Sequence, residues 1–332
     1  MNKKIKYIVP IVILALIFTF VGCSSNPNNN ETEKTKLKVM LDWYPNAVHS
    51  FLYVAKEKGF FDQEGIDVEF VMPAETNDPL RLVAAEKVDL ALSYQPEVIS
   101  ANDKGIPVVS IASVVNHPLN VLLVPENSEI KTPKDLEGKT IGYPSIPMNE
   151  ALVKTMIKHS GGNPEKIKMV DVGWDLMSAL STKKVDAISG GYLNHEEILL
   201  NKEGFKVREF YPPSYGVPDY AELVLVTSQE QWKRNPDLLK KFWKAAQKGQ
   251  EEVQKNPEDS LQILLDHQQK ESPLDPQVET ESLERLLPLM EISGHPFGWQ
   301  NKEQWNEVQD WMESYQLIKN KKPVEQMFIE ID

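Results

Sequence analysis

The spacing of apolar and polar positions changes several times along this chain, and each change marks an element. LKVML (37–41) is a short apolar-rich run that predicts a strand. DWYPN (42–46) interrupts it with Pro45, where the chain should turn. Phe51, Leu52, Val54 and Ala55 then mark a helix that stops at Gly59. After the turn GFFDQEG, IDVEF (66–70) alternates as a strand does. The opening is a βαβ unit that places Trp43 and Asn46 at the carboxyl end of its first strand. Open α/β sheets hold small ligands at that end.

The alternation continues. VDLALS, PVVSIASVV, NVLLVP, KTIGY, IKMVDVG, VDAISGGY and KVREFY read as strands. PEVISANDKG, MNEALVKTMIKHSGG, DLMSALSTKK and HEEILLNKEG read as helices, three of them closed by glycine. This rhythm predicts an α/β fold with parallel-type sheets. Two segments resemble each other, EKVDLALSY (86–94) and KKVDAISGGY (183–192). Each would aim a tyrosine, Tyr94 or Tyr192, into a shared space. NVLLVP (Asn120–Pro125) and AELVLVT (Ala221–Thr227) are the candidate strands crossing between two lobes. The first lobe would then comprise 37–123 and 224–332, the second 124–223. Beyond Ser228 the pattern is almost wholly helical and should pack mainly on the first lobe.

The N-terminus changes the picture. A basic start, MNKKIKY, precedes the apolar IVPIVILALIFTFV and then Gly22-Cys23. This resembles a bacterial lipoprotein signal: residues 1–22 removed, Cys23 lipidated, and 23–36 a polar tether. Cys23 is the only cysteine in the chain, so no internal disulfide can form. The formal charge is −13. Without the first 22 residues, 33 basic side chains face 49 acidic ones, a net charge of −16. An acidic body argues against a nucleic-acid partner, because phosphate would oppose binding. Length and a hydrophobic content of 41% suit two ordinary domains. Anchor, tether and two-lobed body together describe a solute receptor serving a transporter.

Candidate chemistry centres on strand ends. Trp43 reads as a pocket wall on which a flat ring stacks. Asn46 either offers a donor and an acceptor to such a ring or forms an Asx turn around Pro45. Asp42 is a loop cap or a ligand carboxylate. Tyr94, Tyr143 and Tyr192 each follow a strand and suggest an aromatic-lined cleft. Asn194 and Glu196 lie close to Tyr192, and Glu196 is alternatively a first-turn helix acid. Tyr220 and Glu222 stand before an apolar strand. Glu222 is suited to a ring amine or amidine, or else to a hinge ion pair. Trp174 is a further possible wall. The six histidines are scattered without HxH or HExxH spacing, and no GxSxG, P-loop or GxGxxG occurs. Neither a metal, a cofactor nor catalysis has support in these patterns.

Five segments carry a family resemblance: LDWYPNAVHSFLYVAKEKGFFDQEGIDV, KVDLALSY, DLEGKTIGY, VDAISGGYLNHE and ELVLVTS. On these the chain resembles the bacterial solute-binding proteins related to the fungal pyrimidine synthases of thiamine biosynthesis. The resemblance implies a two-lobed periplasmic-binding-protein fold of type II with two crossing hinge strands. It implies a monomer at the outer face of the cell membrane that closes on a pyrimidine precursor of thiamine. Its partners would be the permease and ATPase subunits of an ABC importer. It carries ligand contact over to Trp43, Asn46, Tyr94, Tyr192, Asn194 and Glu222, with Glu196 and Tyr220 as second choices. The fungal enzymes use a Lys and a His where this chain has Ser93 and Glu97, and a cysteine cluster that it lacks, which implies binding without catalysis. The rival ligands are another flat heterocycle, such as a riboflavin precursor, and a sulfonate. The rival class is a pyrimidine synthase.

Overall fold

The computed structural model describes residues 34–331 except 76, 269, 271 and 272. The expected signal, Cys23 and most of the tether lie outside the described residues. Ten strands follow: β1 (Thr35–Met40), β2 (Ile66–Val71), β3 (Leu90–Ser93), β4 (Val108–Val115), β5 (Asn120–Pro125), β6 (Thr140–Tyr143), β7 (Lys168–Asp171), β8 (Ala187–Tyr192), β9 (Val207–Phe210) and β10 (Leu223–Ser228). The first strand takes in Thr35 and Lys36, two residues assigned to the tether from sequence. The strands form two five-stranded sheets, in the orders β2-β1-β3-β10-β4 and β7-β6-β8-β5-β9. The two orders correspond place by place. Three parallel strands lead each sheet, and an antiparallel strand fills fourth place.

The repeated Val-Asp segments explain part of this likeness. They become β3 and β8, which hold third place in their sheets. Asp89 accepts from Lys38 N at 2.8 Å, and Asp186 accepts from Thr140 N at 2.8 Å. In return Asp89 N donates to Lys38 O, and Asp186 N to Thr140 O. Each aspartate therefore pairs the start of a third-place strand with its neighbour and sets their register. Each segment enters through a left-handed residue, Glu86 (φ 52°) or Lys183 (φ 58°).

The crossings differ from the expectation. β5 pairs with β8 and β9, and β10 with β3 and β4, so each run expected to cross lies within one sheet. Their apolar residues have backbone partners on both sides, which a crossing segment lacks. The chain passes between sheets through 116–119 and 211–222. The sheet boundary thus falls before Asn120 rather than after Leu123. His117 on one passage meets Asp219 on the other at 2.8 Å.

The helical C-terminal part covers the first sheet and also reaches beyond it. Helix Pro236–Lys255 lies so close to helix Ser50–Glu57 that a Cβ on Gly249 would sit 2.1 Å from the Phe51 carbonyl oxygen. Trp243 stacks on Phe297, with centroids 5.1 Å apart, and meets Phe51 edge-on. Helix Pro276–Met290 contacts both lobes. Glu279 accepts from Ala47 N at 2.7 Å, Ser282 accepts from Asn194 Nδ2 at 3.0 Å, and Arg285 donates to Leu193 O at 2.6 Å. Trp311 donates to Thr155 Oγ1 at 3.0 Å, a second tie to the other lobe. No helix among the described residues is long and apolar enough to cross a membrane.

Candidate functional site

Carboxyl ends of strands from both sheets converge on one cleft of about 660 Å³, counted to its mouth. Trp43, Asn46, Tyr94, Tyr192, Asn194, Glu196 and Glu222 all line it. The paired tyrosines stand as the repeated segments suggested, one at the end of each third-place strand. Burial and nearby carboxylates raise both phenols well above their ordinary range, so both hydroxyls remain donors. Tyr94 donates to Asp42 Oδ2 at 3.3 Å, and Tyr192 donates to Glu222 Oε1 at 3.1 Å.

Glu222 is 2% exposed and stands where the second passage enters β10. Its Oε2 accepts from Leu119 N (2.8 Å) and Asn120 N (2.9 Å), at the end of the first passage. The carboxylate therefore joins both passages and, through Tyr192, the second sheet. Burial pushes its pKa up to about 7, against the pull of those hydrogen bonds. No hinge ion pair forms at Glu222, because its partners are neutral donors.

Asn46 serves the turn. Its Oδ1 accepts from Val48 N and its Nδ2 donates to Tyr44 O, both at 3.1 Å, while His49 Nδ1 accepts from Asn46 N. It forms part of the cleft wall, and its amide is occupied by the backbone. His49 in turn donates from Nε2 to Asp42 Oδ1 at 2.9 Å. Asp42 thus fixes the orientations of His49 and Tyr94.

Asn194 differs. It is 1% exposed, its Nδ2 donates to Ser282, and its Oδ1 has no protein partner. Glu196 is a buried pairing group rather than a solvated helix acid. It accepts from Tyr192 N at 2.9 Å and from His195 Nδ1 at 3.1 Å. Burial alone would lower His195, but Glu196 and then Glu279 outweigh it and hold the imidazole above its ordinary value. Burial would raise Glu196, but His195 brings it below its ordinary value.

Tyr220 departs from the expectation. It is fully buried and does not line the cleft. The chain here is irregular, held where Gln95 Oε1 accepts from Ala221 N at 2.9 Å, and Tyr220 lies beside the Glu222 carboxylate from the buried side rather than facing the cleft. Tyr143 also stays out of the cleft, and the next residue, Pro144, lines it instead. Trp174 packs on Trp43 with ring centroids 3.9 Å apart and planes at 51°, and it remains 38% exposed. It covers Trp43 from the second lobe.

Sequence reasoning missed the back wall. Asn149 Oδ1 accepts from Asn120 Nδ2 (2.7 Å) and Ser189 Oγ (2.9 Å), while Asn120 Oδ1 accepts from Gly190 N (2.8 Å). Gly190 has φ +101°, and a Cβ there would lie 2.6 Å from Pro144 Cδ. His195, Ile146 and Met148 also line the cleft. The glycine pair in SGGY was the available signal for this close approach. Among the described residues lining the cleft there is no lysine or arginine. No group of histidine, cysteine or acid side chains among the described residues could hold a metal ion.

A family model described as NMT1/THI5 like matches residues 46–260. The chain belongs to the NMT1/THI5-like family. Within the NMT1/THI5-like group it is 42% identical over 321 residues to the formylaminopyrimidine-binding protein of Halalkalibacterium halodurans, covering 96% of this chain and 97% of that one. It is 36% identical to a putative thiamine biosynthesis protein of Haemophilus influenzae, covering 72% and 75%. Among solved structures, the alkanesulfonate-binding protein SsuA from Xanthomonas axonopodis pv. citri, bound to MOPS, superposes with a TM-score of 0.71 at 16% identity, covering 90% and 99%. The fold is therefore the two-lobed α/β fold of periplasmic solute-binding proteins.

Proposed function

We propose that this protein is the extracytoplasmic solute-binding component of an ABC importer and takes up N-formyl-4-amino-5-aminomethyl-2-methylpyrimidine. The relative from Halalkalibacterium halodurans supports the ligand class. The observation that carries the reading is the polar make-up of the cleft. Its unpartnered buried groups are an acceptor, Asn194 Oδ1, and a donor, Trp43 Nε1, its most buried acid is Glu222, and it offers no cationic side chain. Such a lining, three acids and neither guanidinium nor ammonium, disfavours an anion. It favours a neutral ring whose amino group donates while aromatic walls hold its faces.

In this reading the ring lies beside Trp43 and between Tyr94 and Tyr192. The lobes close by bending at 116–119 and 211–222. The ligand favours closure because it contacts both lobes only then. A lipid at Cys23 would hold the protein at the outer face of the membrane, where permease and ATPase subunits receive the cargo from a monomeric receptor. Binding proceeds without turnover. Ser93 and Glu97 stand where the synthases' Lys and His would fall, and the body has no cysteine. Thermal shift against the formylaminopyrimidine, riboflavin and an alkanesulfonate tests this. Stabilisation by the pyrimidine at micromolar concentration is expected, and stabilisation by the sulfonate alone overturns the assignment.

A further inference from the structure

Helix Pro276–Met290 packs on the first lobe, yet one side of it meets the second. Just before it, Asp275 accepts from Lys202. Along it, Ser282 accepts from Asn194, and Arg285 reaches Leu193 O and Glu197. Within this row Glu279 meets His195. This cross-lobe pair is the one that centres on a histidine, whose ordinary value lies near neutrality.

His195 stands just before helix Glu196–Lys202 and is 5% exposed. Its Nδ1 lies 3.1 Å from Glu196 Oε1, on its own lobe. Its Nε2 lies 3.7 Å from Glu279 Oε1, on the other lobe. Both carboxylates are buried. Tyr44, on the first lobe's cleft loop, has its hydroxyl 3.5 Å from Nδ1 and its ring edge-on to the imidazole. Burial holds that phenol well above its ordinary range, so it adds no charge. The second oxygens of the carboxylates are committed: Glu196 Oε2 accepts from Tyr192 N, and Glu279 Oε2 from Ala47 N. His49 also stands near Glu279, with its own ring nitrogens bound to Asn46 N and Asp42. Among the described residues, no lysine or arginine forms an ion pair with Glu196 or Glu279.

This geometry has one matched protonation state. Each ring nitrogen faces a carboxylate oxygen, and only an imidazolium, protonated on both nitrogens, donates to both. A neutral ring would set a lone pair against an anion in a site withdrawn from water, which is costly. Separating the lobes takes Glu279 and Tyr44 away and lets water reach the ring. The closed arrangement therefore needs a proton that the open one does not. We propose that Glu196, His195 and Glu279 form a proton-linked latch, in which closing the lobes takes one proton into the trio and raising the pH weakens closure and ligand binding together. The latch rests on the lobe closure invoked in the reading above and not on the identity of the ligand.

The test is calorimetry of the full chain with the N-formyl aminomethylpyrimidine at pH 7.5, in two buffers of different ionisation enthalpy, which counts protons taken up per ligand bound. The readout is the difference between wild type and Glu279→Gln. Glutamine keeps an acceptor for Ala47 N and turns a donor toward Nε2, so the neutral ring becomes the matched partner. Glu279 does not line the cleft, and any proton exchanged at Glu222 is common to both proteins and cancels. The wild type should take up at least about half a proton more than the variant, and its Kd should rise at least about threefold more between pH 6.5 and pH 8.5. His195→Gln, which removes the titrating ring, should match Glu279→Gln and serves in its place if that variant does not fold. A proton count that neither variant changes overturns the latch and leaves the ligand reading intact. If the formyl compound does not bind the wild type, the ligand reading falls, and small-angle scattering by the free chain decides the latch. The radius of gyration should then rise between pH 6 and pH 8.5 in the wild type and not in Glu279→Gln, and equal curves overturn it.

Discussion

The hydroxyl of Tyr192 donates to Glu222 Oε1 at 3.1 Å and so joins the end of a third-place strand in one sheet to the residue that enters the other. Glu222 also accepts from Leu119 N and Asn120 N. One buried carboxylate thus meets both interlobe passages and the second-lobe wall of the cleft.

This arrangement predicts a pH dependence. Glu222 has a pKa near 7 when folded, above its ordinary 4.5. The folded chain therefore holds that proton more tightly than the unfolded chain does. The resulting stability is fully present below about 4.5 and is lost as pH rises through about 7. The swing is on the order of 3 kcal/mol. His195, raised above its ordinary value, contributes in the same direction, its share being lost as pH rises through its own folded pKa. Urea denaturation at pH 5, 6, 7 and 8 should show wild-type stability falling across this range. Glu222→Gln should flatten the fall, and an unchanged slope would remove Glu222 as its source.

Trp43→Ala should weaken pyrimidine binding by roughly tenfold to a hundredfold, since it removes a ring face and the packing of Trp174 together. Trp174→Ala should have a smaller effect, mainly on the off-rate, because Trp174 covers Trp43 and does not line the cleft. Full affinity in Trp43→Ala, measured by calorimetry, would eliminate the stacking wall.

Asn194→Leu separates binding from stability. The buried Oδ1 has no protein partner and Nδ2 donates only to Ser282, so the substitution should destabilise the free protein by no more than about 1 kcal/mol. Affinity for the pyrimidine should fall by about tenfold or more. A large drop in melting temperature with intact affinity would show the amide to be structural.

Gly190→Ala should destabilise the protein by about 1–3 kcal/mol, because its φ of +101° strains any side chain and its Cβ would meet the ring of Pro144 at 2.6 Å. The same substitution should displace Asn120 from Gly190 N and lower affinity as well. Thermal melts of the free and ligand-saturated variant measure both effects.

Much of the fold could be read from the sequence because it rests on local signals. The alternation of strand and helix and the glycine stops at Gly59, Gly105 and Gly161 lie in the structure where the sequence places them. The paired Val-Asp segments indicated equivalent strands because aspartate at that offset clamps a neighbouring strand in both sheets. The crossings were misplaced because an apolar run looks the same whether it ends a sheet or leaves it. Pairing partners decide the matter, and they are distant in sequence. Site residues at strand ends were legible for the same local reason, as Trp43, Tyr94 and Tyr192 show. Asn149, His195 and Ser282 reach the cleft or its supports through tertiary packing and left no mark in the spacing. Tyr220, carried over only by resemblance, stands behind Glu222 because the irregular approach to β10 turns it into the core.

The exchange of fourth-place strands bears on how the protein is made. The second sheet has all five of its strands once residue 210 has been synthesised. The first has four of its strands by residue 115 and must wait until Ser228 for the fifth, which lies between two of the others. During synthesis the later half can therefore finish its sheet while the earlier half still has an open slot. A chain cut anywhere before β10 leaves β3 and β4 without the strand that joins them, so neither the first lobe nor the cleft it shares can be expressed as an N-terminal fragment.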